Sequence, residues 1–288
     1  MICEILIKNN INNIIIATSN NYSILDNLKR NFNCINVLDV RSAIYYATGI
    51  AAQNDEKVIV LSDSDNSSRS AFSGMTEAFY RNLPIIFVTL GSKLNYTKEL
   101  NDVVQSHFVC DTLNDFNKKI SLAKLPCHIE LINEKYDNYS FDKCYNLQKM
   151  LLNILNEDYY LYISKNIELI NESYRCKLVN GGMVNCFDGT ISNILGASLN
   201  KSKKKYIGII TEKEYIHDIN ALGNTNINDS LILFVLITEK KYLLDNVSKN
   251  LSFEINIINQ NEINENYLNA IINSSKKTIC FINNGELK

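Results

Sequence analysis

The chain has no tryptophan, no Cys-x-x-Cys pair, no long uninterrupted apolar run and almost no net charge. Each absence removes a class of protein. Its eight cysteines (Cys3, Cys34, Cys110, Cys127, Cys144, Cys176, Cys186 and Cys280) are scattered, several within apolar segments such as TICFI. Buried thiols in a reducing compartment account for that pattern better than disulfides or a zinc site. A formal net charge of -2 supplies no field for nucleic acid or an anionic membrane surface. The Lys201–Lys205 run stands where a helix should hand over to a strand, and it reads as a solvated turn. The longest apolar stretch, Leu231–Ile237, is far too short to cross a bilayer. Glu4 and Lys8 interrupt the segment where a signal peptide needs an unbroken apolar core. The expectation is a cytoplasmic protein that binds neither nucleic acid nor membrane. No G-x-G-x-x-G, P-loop or motif-supported Ser-His-Asp arrangement is present.

What the chain does have is alternation. With 288 residues, 46% apolar and 21% charged, it has room for two globular domains with separate cores. Asn13–Ala17, Cys34–Leu38, Lys57–Leu61, Ile85–Thr89, His107–Cys110 and His128–Leu131 read as short strands. KVIVL is of the continuous apolar type that a parallel sheet buries on both faces. Helical periodicity falls between them, at Ile2–Lys8, Tyr22–Asn31, Arg41–Gln53, Ser70–Arg81 and Leu113–Ala123. NEKYDNYS (Asn133–Ser140) is polar and aperiodic, which places a boundary between domains at 1–135 and 142–288. The second half repeats the alternation. Strands are expected at Tyr159–Ile163, Tyr206–Ile210, Leu231–Ile237, Phe253–Ile258 and Thr278–Ile282. Helices are expected at Asp142–Leu155, Lys165–Ser173, Gly189–Leu199, Tyr242–Asn250 and Glu265–Ser274. A helical turn is expected at Tyr215–Leu222, and a glycine-bearing loop at Asn180–Met183. Such alternation predicts an α/β chain of two parallel sheets, each with helices on both faces.

Two pairs of segments carry a further signal. DVRSAIYYATGIAA (Asp39–Ala52) precedes AFSGMTEAFYRNLPIIFVTL (Ala71–Leu90), and FDGTISNILGASL (Phe187–Leu199) precedes EKEYIHDINAL (Glu212–Leu222). Over nearly the whole chain these resemble the thiamine-diphosphate-dependent decarboxylase and carboligase superfamily. The similarity is greatest to the branch of the menaquinone-biosynthesis 2-succinyl-5-enolpyruvyl-6-hydroxy-3-cyclohexene-1-carboxylate synthase. The resemblance implies a pyrimidine-binding-like domain followed by a diphosphate-binding-like domain. The linker is too short for the middle domain that usually separates them.

The resemblance also implies where chemistry would sit. The family glutamate that promotes the reactive aminopyrimidine tautomer falls at Val40, which cannot hydrogen-bond. One branch, glyoxylate carboligase, has valine there and remains an enzyme. The small-residue loop against the cofactor becomes Ser62-Asp63-Ser64-Asp65-Asn66, with Ser64 the cofactor-binding candidate and a solvated polar turn with Asx-type hydrogen bonds the favoured reading. Asp188, Gly189, Thr190 and Ser192 match the diphosphate-side motif, at a helix start whose free amides favour anions. An ordinary N-cap explains Asp188 equally well. The family's metal-binding loop becomes Thr211-Glu212-Lys213-Glu214, leaving Glu212 as a Mg²⁺ candidate one methylene too long, and the asparagine-bearing stretch becomes Thr238-Glu239-Lys240. Solvated loop charges are the expectation for these, with Lys213 or Lys240 in the metal's place as the alternative. His217-Asp218 also matches, as a structural pair. His107 and His128 stand near strand ends without an acidic or cysteine partner at metal spacing in the sequence.

Two functions remain open on these residues. One is a degenerate, non-catalytic homologue (a pseudoenzyme) acting as a structural or regulatory partner without a cofactor. The other is an active decarboxylase or carboligase of 2-oxo acids using thiamine diphosphate and Mg²⁺. A crevice repurposed for another small ligand is a third. In either of the first two, the resemblance implies a homodimer or higher oligomer, with a catalytic homologue as a further possible partner.

Overall fold

A computed structural model describes residues 1–17, 22–63, 67–91, 97–132, 144–181, 189–199, 202–223, 227, 229–237 and 253–283. The chain divides into two compact units, Met1–Tyr139 and Ser140–Lys288. Among the described residues, no helix is long and apolar enough to cross a membrane.

In the first unit the elements run α1 (Ile2–Lys8), β1 (Asn13–Ala17), α2 (Ser23–Asn31), β2 (Cys34–Asn36), α3 (Val40–Asn54), β3 (Val58–Asp63) and α4 (Ser67–Tyr80). They continue with β4 (Ile85–Gly91), β5 (Ser106–Cys110), α5 (Leu113–Leu122) and β6 (Cys127–Ile132). The six strands form one parallel sheet in the order β2-β1-β3-β4-β6-β5. Because side chains alternate along a strand, Ile14, Ile59, Val88 and Ile129 pack on one face against α1, α2 and α5, through Leu6, Leu28 and Phe116. Ile15, Val60, Ile85 and Phe87 pack on the other against α3 and α4, through Ile44, Ala47 and Met75. At Gly74 an added Cβ would lie 2.6 Å from Ile44 Cγ2, so the α3–α4 contact requires glycine there.

The second unit runs α6 (Tyr145–Ile154), β7 (Tyr159–Ser164), β8 (Lys177–Gly181), α7 (Thr190–Ser198), β9 (Lys205–Thr211), α8 (Glu212–His217) and β10 (Leu231–Ile237). It closes with β11 (Glu254–Asn259), α9 (Glu265–Asn273) and β12 (Thr278–Asn283). Its parallel sheet has the order β11-β12-β10-β9-β7-β8. Counted from the first strand of each unit, the two orders are identical. Leu161, Ile209, Phe234 and Ile282 face α6 and α9. Tyr160, Leu233 and Val235 face α7 and α8, meeting Ile191, Ile194 and Tyr215.

Three expectations from sequence are corrected here. Lys165–Ser173 forms no helix. The side-chain amide of Gln148, on α6, holds this stretch in an irregular course: Nε2 donates to Glu168 O (2.8 Å) and Oε1 accepts from Ile170 N (3.2 Å) and the Tyr174 hydroxyl (2.8 Å). Asn180 and Gly181, expected in a loop, end the edge strand β8. The turn expected over Tyr215–Leu222 is two pieces, α8 and a 3₁₀ turn at Ile219–Gly223, with Glu212 and Lys213 inside the first. The helix expected at Tyr242–Asn250 lies outside the described residues.

Candidate functional site

In an open parallel sheet a ligand crevice forms beyond the strand ends where the direction of winding reverses. In the second unit this point lies between β7 and β9, because β8 is added on one side of β7 and β9 on the other. The side chains that meet there are Ser164, the last residue of β7, Thr211, the last of β9, and the starts of α7 and α8.

Thr211 caps α8 and forms a capping box with Glu214. This geometry turns the Glu214 carboxylate back into the crevice, where it is 2% exposed. Its Oε1 accepts from Ser164 Oγ (2.7 Å), Asn166 Nδ2 (3.2 Å) and Thr190 Oγ1 (3.3 Å). Its Oε2 accepts from the Thr211 amide (2.8 Å) and hydroxyl (2.9 Å). A carboxylate offers about four lone-pair sites, so these donors use its accepting capacity in full. Burial pushes the Glu214 carboxyl above its ordinary pKa, and bonds from Thr211, Ser164 and Thr190 pull it back part of the way.

The start of α7 is likewise occupied. Gly189 precedes it with φ of 73°, a left-handed conformation that suits glycine. The Ser192 amide, one of the helix's otherwise unsatisfied donors, gives its hydrogen to Asp218 Oδ2 at 2.6 Å, and Ser192 Oγ donates to Asp218 Oδ1 at 2.9 Å. The carboxylate that a helix N-terminus attracts is therefore supplied by the chain itself, from the end of α8.

Of the residues singled out from sequence, Gly189, Thr190 and Ser192 gather at this crevice. Glu212 lies in the adjoining turn of α8 and is 3% exposed, which corrects its expectation as a solvated carboxylate: α8 begins at this residue, directly off the buried end of β9. Asp188, Ser64, Thr238, Glu239 and Lys240 lie outside the described residues. Val40 belongs to the first unit, where it is the first residue of α3, behind the Asp39 cap, and packs half-buried against the α3–α4 core. Sequence reasoning passed over Glu214, although Thr-x-x-Glu at the end of an apolar strand is a capping-box signature. Beside the crevice, an open cavity of about 550 Å³ runs along α7, lined by Leu195, Ser198, Leu199, Asn220 and Ile227 among others. None of its described lining residues is ionisable.

A second polar cluster lies on the α3–α4 face of the first sheet. Register places Phe87, His128 and His107 side by side on β4, β6 and β5. Glu130, two residues after His128, therefore emerges on the same face. His107 Nε2 donates to Glu130 Oε1 at 2.9 Å, which supplies the acidic partner that linear spacing hid. His128, fully buried, stacks between Phe87 and His107 and shares a hydrogen bond with Thr89 Oγ1 at 3.1 Å. Burial, and then proximity to His107, lowers its pKa to about 3. Seven described cysteines are free thiols. Burial raises Cys110 and Cys280 to about 11 and Cys127 to about 12, which leaves these three poor nucleophiles.

No protein-family model matches this chain, and no curated protein matches it.

Proposed function

We propose that the chain is a degenerate thiamine-diphosphate-type protein that serves as a non-catalytic structural or regulatory partner. The observation that carries this reading is the filling of the β7–β9 crevice by Glu214 and Asp218. In the resembling family the start of the helix matching α7 faces the cofactor's diphosphate. Here the Thr190 hydroxyl and the Ser192 amide, the groups that would receive that anion, already serve two internal carboxylates. A diphosphate would have to displace both carboxyl groups from these donors.

The residues do not fit the metal either. Mg²⁺ needs near-octahedral oxygen ligands at about 2.0–2.1 Å. The candidate ligand Glu212 is 3% exposed in the first turn of α8, and the oxygens of the neighbouring Glu214 are surrounded by hydroxyl and amide hydrogens. With Val40 at the family glutamate position, the pyrimidine side lacks its acid as well. Two units with one strand order support the paired-domain part of the reading. Exposed aromatic residues on α3 and α4 (Tyr45, Tyr46, Phe72 and Tyr80) support the partner part, since aromatic side chains are enriched in association surfaces. A homodimer or a pairing with a catalytic homologue follows.

Calorimetric titration with thiamine diphosphate in millimolar Mg²⁺ tests the proposal. No saturable heat is expected. Tight, Mg²⁺-dependent binding would overturn it and restore the decarboxylase or carboligase reading.

A further inference from the structure

We infer that His107, His128 and Glu130 form a binding site for one divalent transition-metal ion of the zinc class, at the β5–β6 edge of the first sheet. Ligand-capable atoms of all three residues lie within 4.8 Å of one another. Two nitrogen ligands and one carboxylate are a donor set that suits Zn²⁺ and its neighbours, and three protein ligands leave a fourth position for water or substrate. Two ligands at about 2.1 Å from a tetrahedral ion stand about 3.4 Å apart. The 2.9 Å separation of His107 Nε2 and Glu130 Oε1 is close to that value, so this pair has to open by only about half an ångström.

The second observation is independent of the first. His128 Nδ1 is buried and has no hydrogen-bond partner among the described residues. An orphaned ring nitrogen in an apolar core is costly, and it sits in the one described group of three or more His, Cys, Asp or Glu side chains arranged to hold a metal. The Thr89 hydroxyl on the other ring nitrogen is the kind of outer partner that fixes a metal-bound imidazole. The rings of His107 and His128 are stacked at an interplanar angle of 18°, so one must turn for both to point at a shared ion. His107, on the edge strand and 21% exposed, is the ring at the surface. Glu130 and His128, at 1% and 0% exposure, form the fixed floor.

The test uses the full chain, stripped of metal and titrated with Zn²⁺ by calorimetry and with Co²⁺ by visible absorption. One ion per chain is expected, with Co²⁺ bands typical of nitrogen and oxygen ligands. The affinity should fall by more than about tenfold in His107→Ala, since disturbing even an outer-shell partner costs that much. His107→Ala takes a donor from the buried Glu130 carboxylate, so its fold is read by circular dichroism alongside the titration. Glu130→Gln, read by circular dichroism as well as titration, should bind more weakly while remaining folded. Absence of stoichiometric binding, equal affinity in wild type and His107→Ala, or a Co²⁺ spectrum dominated by thiolate charge transfer from the free cysteines would each overturn the site.

Discussion

At the scale of single residues, Glu214 decides more than any residue that the motif comparison points to. Its side chain joins β7, β9, α7 and α8 through Ser164, Thr211 and Thr190. Removing it leaves several buried donors without an acceptor, and each such loss costs about 1–3 kcal/mol. Glu214→Ala should therefore destabilise the protein by at least about 2 kcal/mol, measured by denaturant unfolding. Glu214→Gln keeps the shape and one carbonyl acceptor, so it should lose less. An unchanged midpoint in Glu214→Ala would show that water replaces the carboxylate and that the crevice is open. Glu212 belongs to the same class. At 3% exposure it cannot be treated as a surface charge whose loss is within about 0.5 kcal/mol.

At the scale of elements, legibility followed the locality of the cause. LILFVLI, TICFI and KVIVL announce buried parallel strands through continuous β-branched and apolar runs, and β10, β12 and β3 occupy those places. The site was less legible, because it depends on pairings between strands. Nothing in the linear spacing of His107 and Glu130 joins them; the β5–β6 register does. The helix expected at Lys165–Ser173 fails for a similar reason. All the donor and acceptor positions of the Gln148 amide are used, two on this stretch, one on the Tyr174 hydroxyl just beyond it and one on Cys144 Sγ at 3.3 Å. A tertiary clamp of this sort outweighs local propensity. Gln148→Ala should release the segment while leaving the sheet intact. Hydrogen exchange should then accelerate at the Ile170 amide and its neighbours, with α9 and β12 unaffected. Equal protection in the variant would remove the clamp as the cause.

At the scale of the whole molecule, the exposed aromatics of α3 and α4 set an expectation for assembly. Tyr46 is 57% exposed and Tyr80 79%, on a layer whose buried side is already satisfied by the sheet. Sedimentation velocity should show a dimer or higher species at micromolar concentration. Tyr46→Glu should shift it toward monomer without lowering the melting temperature. A wild-type monomer at that concentration would argue against self-association and leave a different chain as the partner.

The strand order also governs when the chain can fold. In each unit the penultimate strand to be synthesised is an edge strand with no neighbour of its own until the final strand arrives. Thus, among the described strands, β5 pairs only with β6, and β11 only with β12. β6 and β12 act as keystones, each inserted between an edge and a sheet half already built. On the ribosome, the first sheet cannot close before residue 132 has emerged, nor the second before residue 283. Until then β5 and β11 wait as unpaired strands, the kind of intermediate on which chaperones act. The long crossovers of an all-parallel sheet make that wait slow. A nascent chain halted just short of β12 would carry a finished first unit and an open second one.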